Sequence, residues 1–171
     1  HAAHEARFVA GLFPEGLAFT AEAATIETLQ AHAGRAEVVH LACHAHFRSD
    51  NPMFSALELA DGALTVERAE ALALQPGLVV LSACETGLAE LGSGDEMVGL
   101  VRAFLVGGAA RVLASLWTVD DAVTARFMAA FYGALRRGDA PAAALRSAQL
   151  EVMREHRHPF YWAAFTLHGG W

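Results

Sequence analysis

In the stretch LSACETG, residues 81–87, the apolar run Leu78–Leu81 ends in Ser82, Ala83 and Cys84, and a carboxylate, a hydroxyl and a glycine follow the cysteine. Two other stretches have the same form. VVHLACHAHF (38–47) runs into Cys43, His44 and His46, and RVLASLWTVDD (111–121) runs into Ser115, Trp117, Asp120 and Asp121. A thiol, an imidazole and backbone N–H groups are the parts of thiol nucleophilic catalysis. A thiolate attacks a carbonyl, the imidazole shuttles the proton, and the N–H groups hold the oxyanion. Acidic groups beside an aromatic wall suit a pocket for a cationic side chain.

These residues can act together only if the chain brings them to one place. The patterning predicts that it does. Apolar runs at 37–42 (EVVHLA), 78–83 (LVVLSA) and 110–117 (ARVLASLW) read as buried strands. A last strand is expected in WAAFTLHG (162–169). Helices are expected at 21–33 with Thr20 as N-cap, at 67–74, at 95–106 and from Asp120 or Asp121 to about Arg137. A further helix starts at Pro141 and runs to about Glu155. ALELADGALTV (56–66) reads as a β-hairpin about Asp61-Gly62, and Gly107-Gly108 stop the third helix. Strand and helix alternating at this spacing imply an α/β domain with a mostly parallel sheet and helices on both faces. Ligands of such sheets bind at the carboxyl ends of the strands, where the three candidate stretches fall.

Composition narrows the classes. The 171 residues fit one domain with one sizeable core. A hydrophobic fraction of 54% against 18% charged residues excludes a disordered chain. The net charge of −7, with no basic run beyond Arg136-Arg137, argues against direct contact with nucleic acid. No apolar run reaches the roughly 18 residues of a membrane span. Two cysteines make no disulfide framework, so a reducing, cytoplasmic setting is expected. The first 19 residues pattern poorly and read as the remnant of a domain junction, with the chain a C-terminal part of a longer protein.

VVHLACHAHF, LVVLSACETG, GGAARVLASLWTVDD and HPFYWAAFTLHG together resemble the successive signature segments of CHAT domains. These are caspase-like cysteine peptidase domains of clan CD, often associated with tetratricopeptide repeats in bacteria. The resemblance runs from about residue 36 to 170. It implies a caspase-hemoglobinase fold, a catalytic dyad of His44 and Cys84, and an oxyanion hole from the backbone N–H groups of Ala45 and Cys84. It implies a peptide or protein substrate, an upstream repeat domain, no cofactor, and a role in bacterial signalling or defence. His40 matches an earlier, non-catalytic histidine of the family. Two positions depart from the pattern: Cys43 stands where the family usually has Thr, and Ala45 where it has Gly. If the site needs positive φ at residue 45, alanine costs about 1 kcal/mol or more there.

Other readings of the same residues stand beside this one. Cys84 and Cys43 are also good core fillers, and His46 is an alternative base to His44. A zinc set of His40, Cys43, His44, His46 and Cys84 lacks CxxC or HExxH spacing. Ser115, Trp117, Asp120 and Asp121 form either a specificity pocket or a core tryptophan followed by helix-capping acids. Glu85 is placed to orient the nucleophile's loop, and Glu96 reads as first-turn helix charge. Phe160, Tyr161 and Trp162 read as core and wall aromatics. The glycines of residues 87–94 suit a loop that moves on activation. Two further functions share the fold: a non-catalytic interaction module using the same groove, and a thiol amidase or acyltransferase acting on small molecules.

Overall fold

Four consecutive apolar side chains are satisfied where a strand is covered on both faces. The computed structural model describes residues 2–46, 48, 51–75, 77–82, 84–85 and 95–170, and only the backbone at 52, 84, 85 and 95–97. It places Leu78–Leu81 in such a strand, β5, with all four residues buried. β5 lies between β1 (Val38–Leu41) and β7 (Arg111–Ser115), parallel to both. β8 (Phe165–Gly169) closes that sheet, antiparallel to β7.

Alternation along the strands sorts the core into two halves. Val79, Leu81, Val112 and Ala114 join one half, with α2 (Ile26–Ala33), α3 (Val66–Glu70) and α4 (Asp95–Val106). Leu78, Val80 and Leu113 join the other, with α1 (Ala2–Gly11), α5 (Asp121–Arg136) and α6 (Pro141–Glu155). The architecture is therefore α/β, with a mostly parallel central sheet and helices on both faces, as the patterning predicts.

A second four-stranded sheet continues the first. β2 (His44–His46) and β6 (Cys84–Glu85) follow β1 and β5 after breaks of two residues each. β3 (Ala56–Leu59) and β4 (Gly62–Thr65) form the expected hairpin on the outer side of β2, in the order β4-β3-β2-β6. Across both breaks the register holds. Val38 pairs with Leu78 and His44 with Cys84, each with the residue forty positions on. Ser82 N–H donates to the Leu41 carbonyl at 3.0 Å and bridges the break.

Several local expectations are corrected. The helix predicted over 21–33 is two pieces. Ala21, with φ of 52°, breaks the run, and Ala21–Ala23 is a short 3-10 turn. The α-helix starts at Ile26, where the Thr25 side chain accepts from Thr28 N–H. Thr20 makes no side-chain cap; its hydroxyl takes a hydrogen bond from Arg7 instead. The helix expected at 67–74 ends early, at Glu70, and Leu74 N–H donates to the Gly107 carbonyl. Trp162 belongs to a short helix, α7 (Pro159–Trp162), and not to the last strand. Residues 2–11 form α1, whose Val9 is buried in the second half of the core. No helix among the described residues is long and apolar enough to cross a membrane.

Gly108 ends α4 at φ of +110°, and a Cβ there would meet the Leu74 carbonyl oxygen at 2.5 Å. Both the backbone angle and the close approach require glycine. Gly108→Ala is expected to destabilise the fold by about 2 kcal/mol, read as a lowered denaturation midpoint at unchanged slope.

Candidate active site

The ladder between β2 and β6 decides which residues meet. His44 and Cys84 are register partners, and Ala45 pairs with Glu85. Residues paired in register sit side by side on one face of a ladder. β7 brings the third candidate stretch alongside, because Ala114 pairs with Leu81 and Ser115 follows. Three strand ends thus converge at one edge of the sheet. The described part of Cys84 and Glu85 is their backbone, and the loop at 87–94 lies outside the described residues, as does the side chain of Glu96.

Strand alternation separates His44 from its neighbours. Ala45 is fully buried, while His44 and His46 are exposed on the opposite face. Cys43 packs against the same core as Ala45. Cys43 is a free thiol whose pKa burial pushes up to about 12, with the Glu58 charge adding to the effect. It is therefore a core filler. His46 Nε2 contacts the Glu58 carboxylate on β3, one strand away from Cys84. His44 makes no side-chain hydrogen bond among the described residues.

Ala45 does not occupy the left-handed region. Among the described residues Ala21 is the one non-glycine with positive φ. Replacing the family's glycine by alanine therefore costs no backbone strain at this position, and the methyl group fills core space beside Leu57 and Leu64.

The end of β7 is a tight turn held by its own polar groups. Ser115 Oγ donates to the Trp117 carbonyl at 2.6 Å, which commits that hydroxyl to the turn. Trp117 Nε1 donates to the Phe160 carbonyl at 2.8 Å, and the two rings stack at 6.3 Å. Phe160 and Leu116 are exposed, so this pair forms an apolar wall beside the strand ends. Asp120 is the N-cap of α5, with Oδ1 accepting from Ala122 N–H at 2.9 Å. Asp121 begins that helix. Tyr161 and Trp162 pack against the core. Among the described residues no group of three His, Cys, Asp or Glu is arranged to hold a metal.

One cluster was not foreseen in the sequence. His40 is a lone polar residue in an apolar strand, and its side chain is 6% exposed. Its Nδ1 lies 2.8 Å from Tyr132 Oη on α5, and its Nε2 lies 3.0 Å from Glu5 Oε1 on α1. Burial, and then the Glu5 charge, keep Tyr132 protonated well above pH 10, so its O–H donates to Nδ1 and the ring proton is assigned to Nε2, facing Glu5. That second contact is close but poorly aligned for a hydrogen bond. Burial raises the Glu5 pKa, but His40 and a hydrogen bond from Ser82 outweigh it and hold the carboxyl below its ordinary 4.5. A buried histidine in an apolar strand is the signal for such partners, because an unmade bond there costs about 1–3 kcal/mol.

The match to known proteins agrees with this geometry. A family model described as the CHAT domain matches residues 1–170. The chain belongs to the CHAT-domain family. This family is caspase-like and peptidase-related. Tetratricopeptide repeat protein 28 of Mus musculus is 40% identical over 100 residues, covering 57% of this chain and 4% of that protein. Its Homo sapiens counterpart is 39% identical over 100 residues, with the same coverage. The chain thus spans a small part of the length of these relatives. They are repeat proteins, which fits the expected association of this domain with tetratricopeptide repeats.

Two outcomes follow from the titrating groups. Native protein treated with iodoacetamide at about pH 9 is expected to leave Cys43 unmodified until denaturant is added, as mass spectrometry of tryptic peptides would read. Glu5, with its folded pKa lowered, stabilises the fold fully above its unfolded value, and this is lost as pH falls through the folded value. The melting temperature of wild type should therefore fall more steeply than that of Glu5→Gln between about pH 5 and about pH 3.

Proposed function

We propose that this CHAT domain hydrolyses peptide bonds with a Cys84–His44 dyad. The observation that carries the reading is the register pairing of His44 with Cys84 at the carboxyl ends of adjacent parallel strands. His44 takes the thiol proton, and the Cys84 sulfur attacks the scissile carbonyl carbon. The backbone N–H groups of Ala45 and Cys84 stabilise the oxyanion. His44 then protonates the leaving amine, and water hydrolyses the thioester to release the acid and restore the thiol. The Trp117–Phe160 wall, with the Asp120–Asp121 carboxylates, would select a cationic side chain beside the scissile bond. Ser115 supports that wall by fixing its turn.

His44 is favoured over His46 as base on two grounds. The ladder pairs His44 with Cys84, and Glu58 already engages His46. The physiological partner in this reading is a peptide or protein substrate, with repeats elsewhere in the parent protein presenting or gating it in signalling or defence, in the cytoplasm.

A second reading is favoured by the relatives, which are named for their repeats and not for an activity. The domain would then be an interaction module using the same groove. A peptide library digested by the purified domain and read by mass spectrometry separates the two. Cleavage is expected. Cys84→Ala should abolish it with little change in melting temperature, and His44→Ala should slow it by about 100-fold or more. Cleavage by Cys84→Ala would overturn the assignment. Peptide binding unchanged in Cys84→Ser, with no cleavage by wild type, would support the interaction module.

A further inference from the structure

A row of three residues crosses the second sheet at the level of the dyad. The ladder of β2 and β3 pairs Ala45 with Leu57 and His46 with Ala56, so the next pair in that register sets Glu58 opposite His44. On the other edge of β2, His44 pairs with Cys84. The order across β3, β2 and β6 is therefore Glu58, His44, Cys84. Alternation keeps Glu58 on the face of His44, because Leu57 is buried with Ala45 in one half of the core while Glu58 is exposed. The Glu58 carboxylate leans along β2 to His46, where Ala56, the ladder partner of His46, leaves room for it. Both side chains of that contact stay half-exposed. Ala63 of β4, the partner of Glu58 on its other side, brings no charge.

The chemistry gives this row a direction. Cys84 attacks the carbonyl carbon and His44 protonates the adjoining nitrogen. The leaving half of a bound peptide therefore extends from Cys84 across His44 toward β3. The Trp117–Phe160 wall follows β7, on the far side of Cys84. The two flanks thus face opposite halves of the substrate. Adjacent strands lie about 4.8 Å apart, and an extended peptide rises about 3.3 Å per residue, so one strand spacing corresponds to one or two residues.

We infer that Glu58 is a specificity-determining residue on the leaving-group side: its half-exposed carboxylate, one strand beyond His44, binds a lysine or arginine side chain at the first or second position after the cleaved bond. The inference rests on the dyad reading given above. An ammonium or guanidinium pairs with a carboxylate through charge-assisted hydrogen bonds, and a strand holds that carboxylate at a fixed place. The exposed His46 ring is a partner that such a side chain can displace.

The test is digestion of a peptide library by wild type, Glu58→Gln, Glu58→Lys and His46→Gln, with the residues on both sides of every cut read by mass spectrometry. Wild type is expected to favour Lys or Arg over Asp or Glu after the cut by about fivefold at low salt, and by less in 1 M NaCl. Glu58→Gln should remove that preference and Glu58→Lys should reverse it. His46→Gln, which frees the carboxylate, should strengthen it. Preferences before the cut should match wild type in all three variants. The substituted side chains are half-exposed, so the variants are expected to fold, as circular dichroism would check. A merely structural role for Glu58 would slow every peptide alike and leave the preferences unchanged, which overturns the inference. Wild type cutting without regard to charge after the bond also overturns it, and the dyad then stands. If wild type cuts nothing, or Cys84→Ala cuts as well as wild type, the dyad reading falls and this inference falls with it.

Discussion

One parallel ladder carries the rest of the structure. β1 and β5 pair from Val38–Leu78 to Leu41–Leu81, stop for two residues, and resume as β2 and β6 in the same register. The side-chain period of a strand is two, so a slip of one residue would turn every side chain to the wrong face. The register is held because one face on each side of the break is apolar. Leu41 and Leu81 below it, and Ala45 above it, all bury in the same half of the core. Packing on one face is thus what leaves His44 on the other.

The break itself lets one pair of strands serve two sheets. Below it, β5 is surrounded on both sides and both faces, which gives a rigid base. Above it, β2 carries a hairpin on its outer edge, and its solvent face holds His44, His46 and Glu58. A site on strands backed by a core is held more firmly than one on loops alone. The same arrangement explains Cys43. It sits next to His44 in sequence but on the opposite face, so its thiol is buried and inert while its neighbour meets solvent.

Much of this was legible in the sequence because the signals are local or periodic. The all-apolar run at 78–81 requires a doubly covered strand, and Asp61-Gly62 between alternating residues requires a tight turn. The placement of His44 beside Cys84 was legible from the rule that strand ends converge. Other features depend on contacts that no local pattern carries. Ala21 breaks a stretch whose alanines all favour helix, and α7 is too short to show a period. The acid in α1 looks like an ordinary surface charge until the helix docks against β1. Ser115 and Asp120 offered themselves as pocket groups, but Ser115 donates its hydroxyl to the turn and Asp120 accepts from the end of α5. Sequence types what a side chain can do; only tertiary contact says which of its options is already taken.

The shared spacing of forty also governs how such a chain can drift. Between β2 and β5 lies a long connection that includes the hairpin and α3. Lengthening that segment changes the spacing and leaves the ladder intact, because the loop absorbs the extra residues at little entropic cost. The two-residue breaks have no such freedom. One residue gained at 42–43 would carry His44 to the buried face and Ala45 to solvent, and a matching residue at 82–83 would restore the register but not the faces. Single insertions and deletions are therefore disfavoured at the breaks and tolerated between them, so length variation should concentrate in the long connection and spare the short ones.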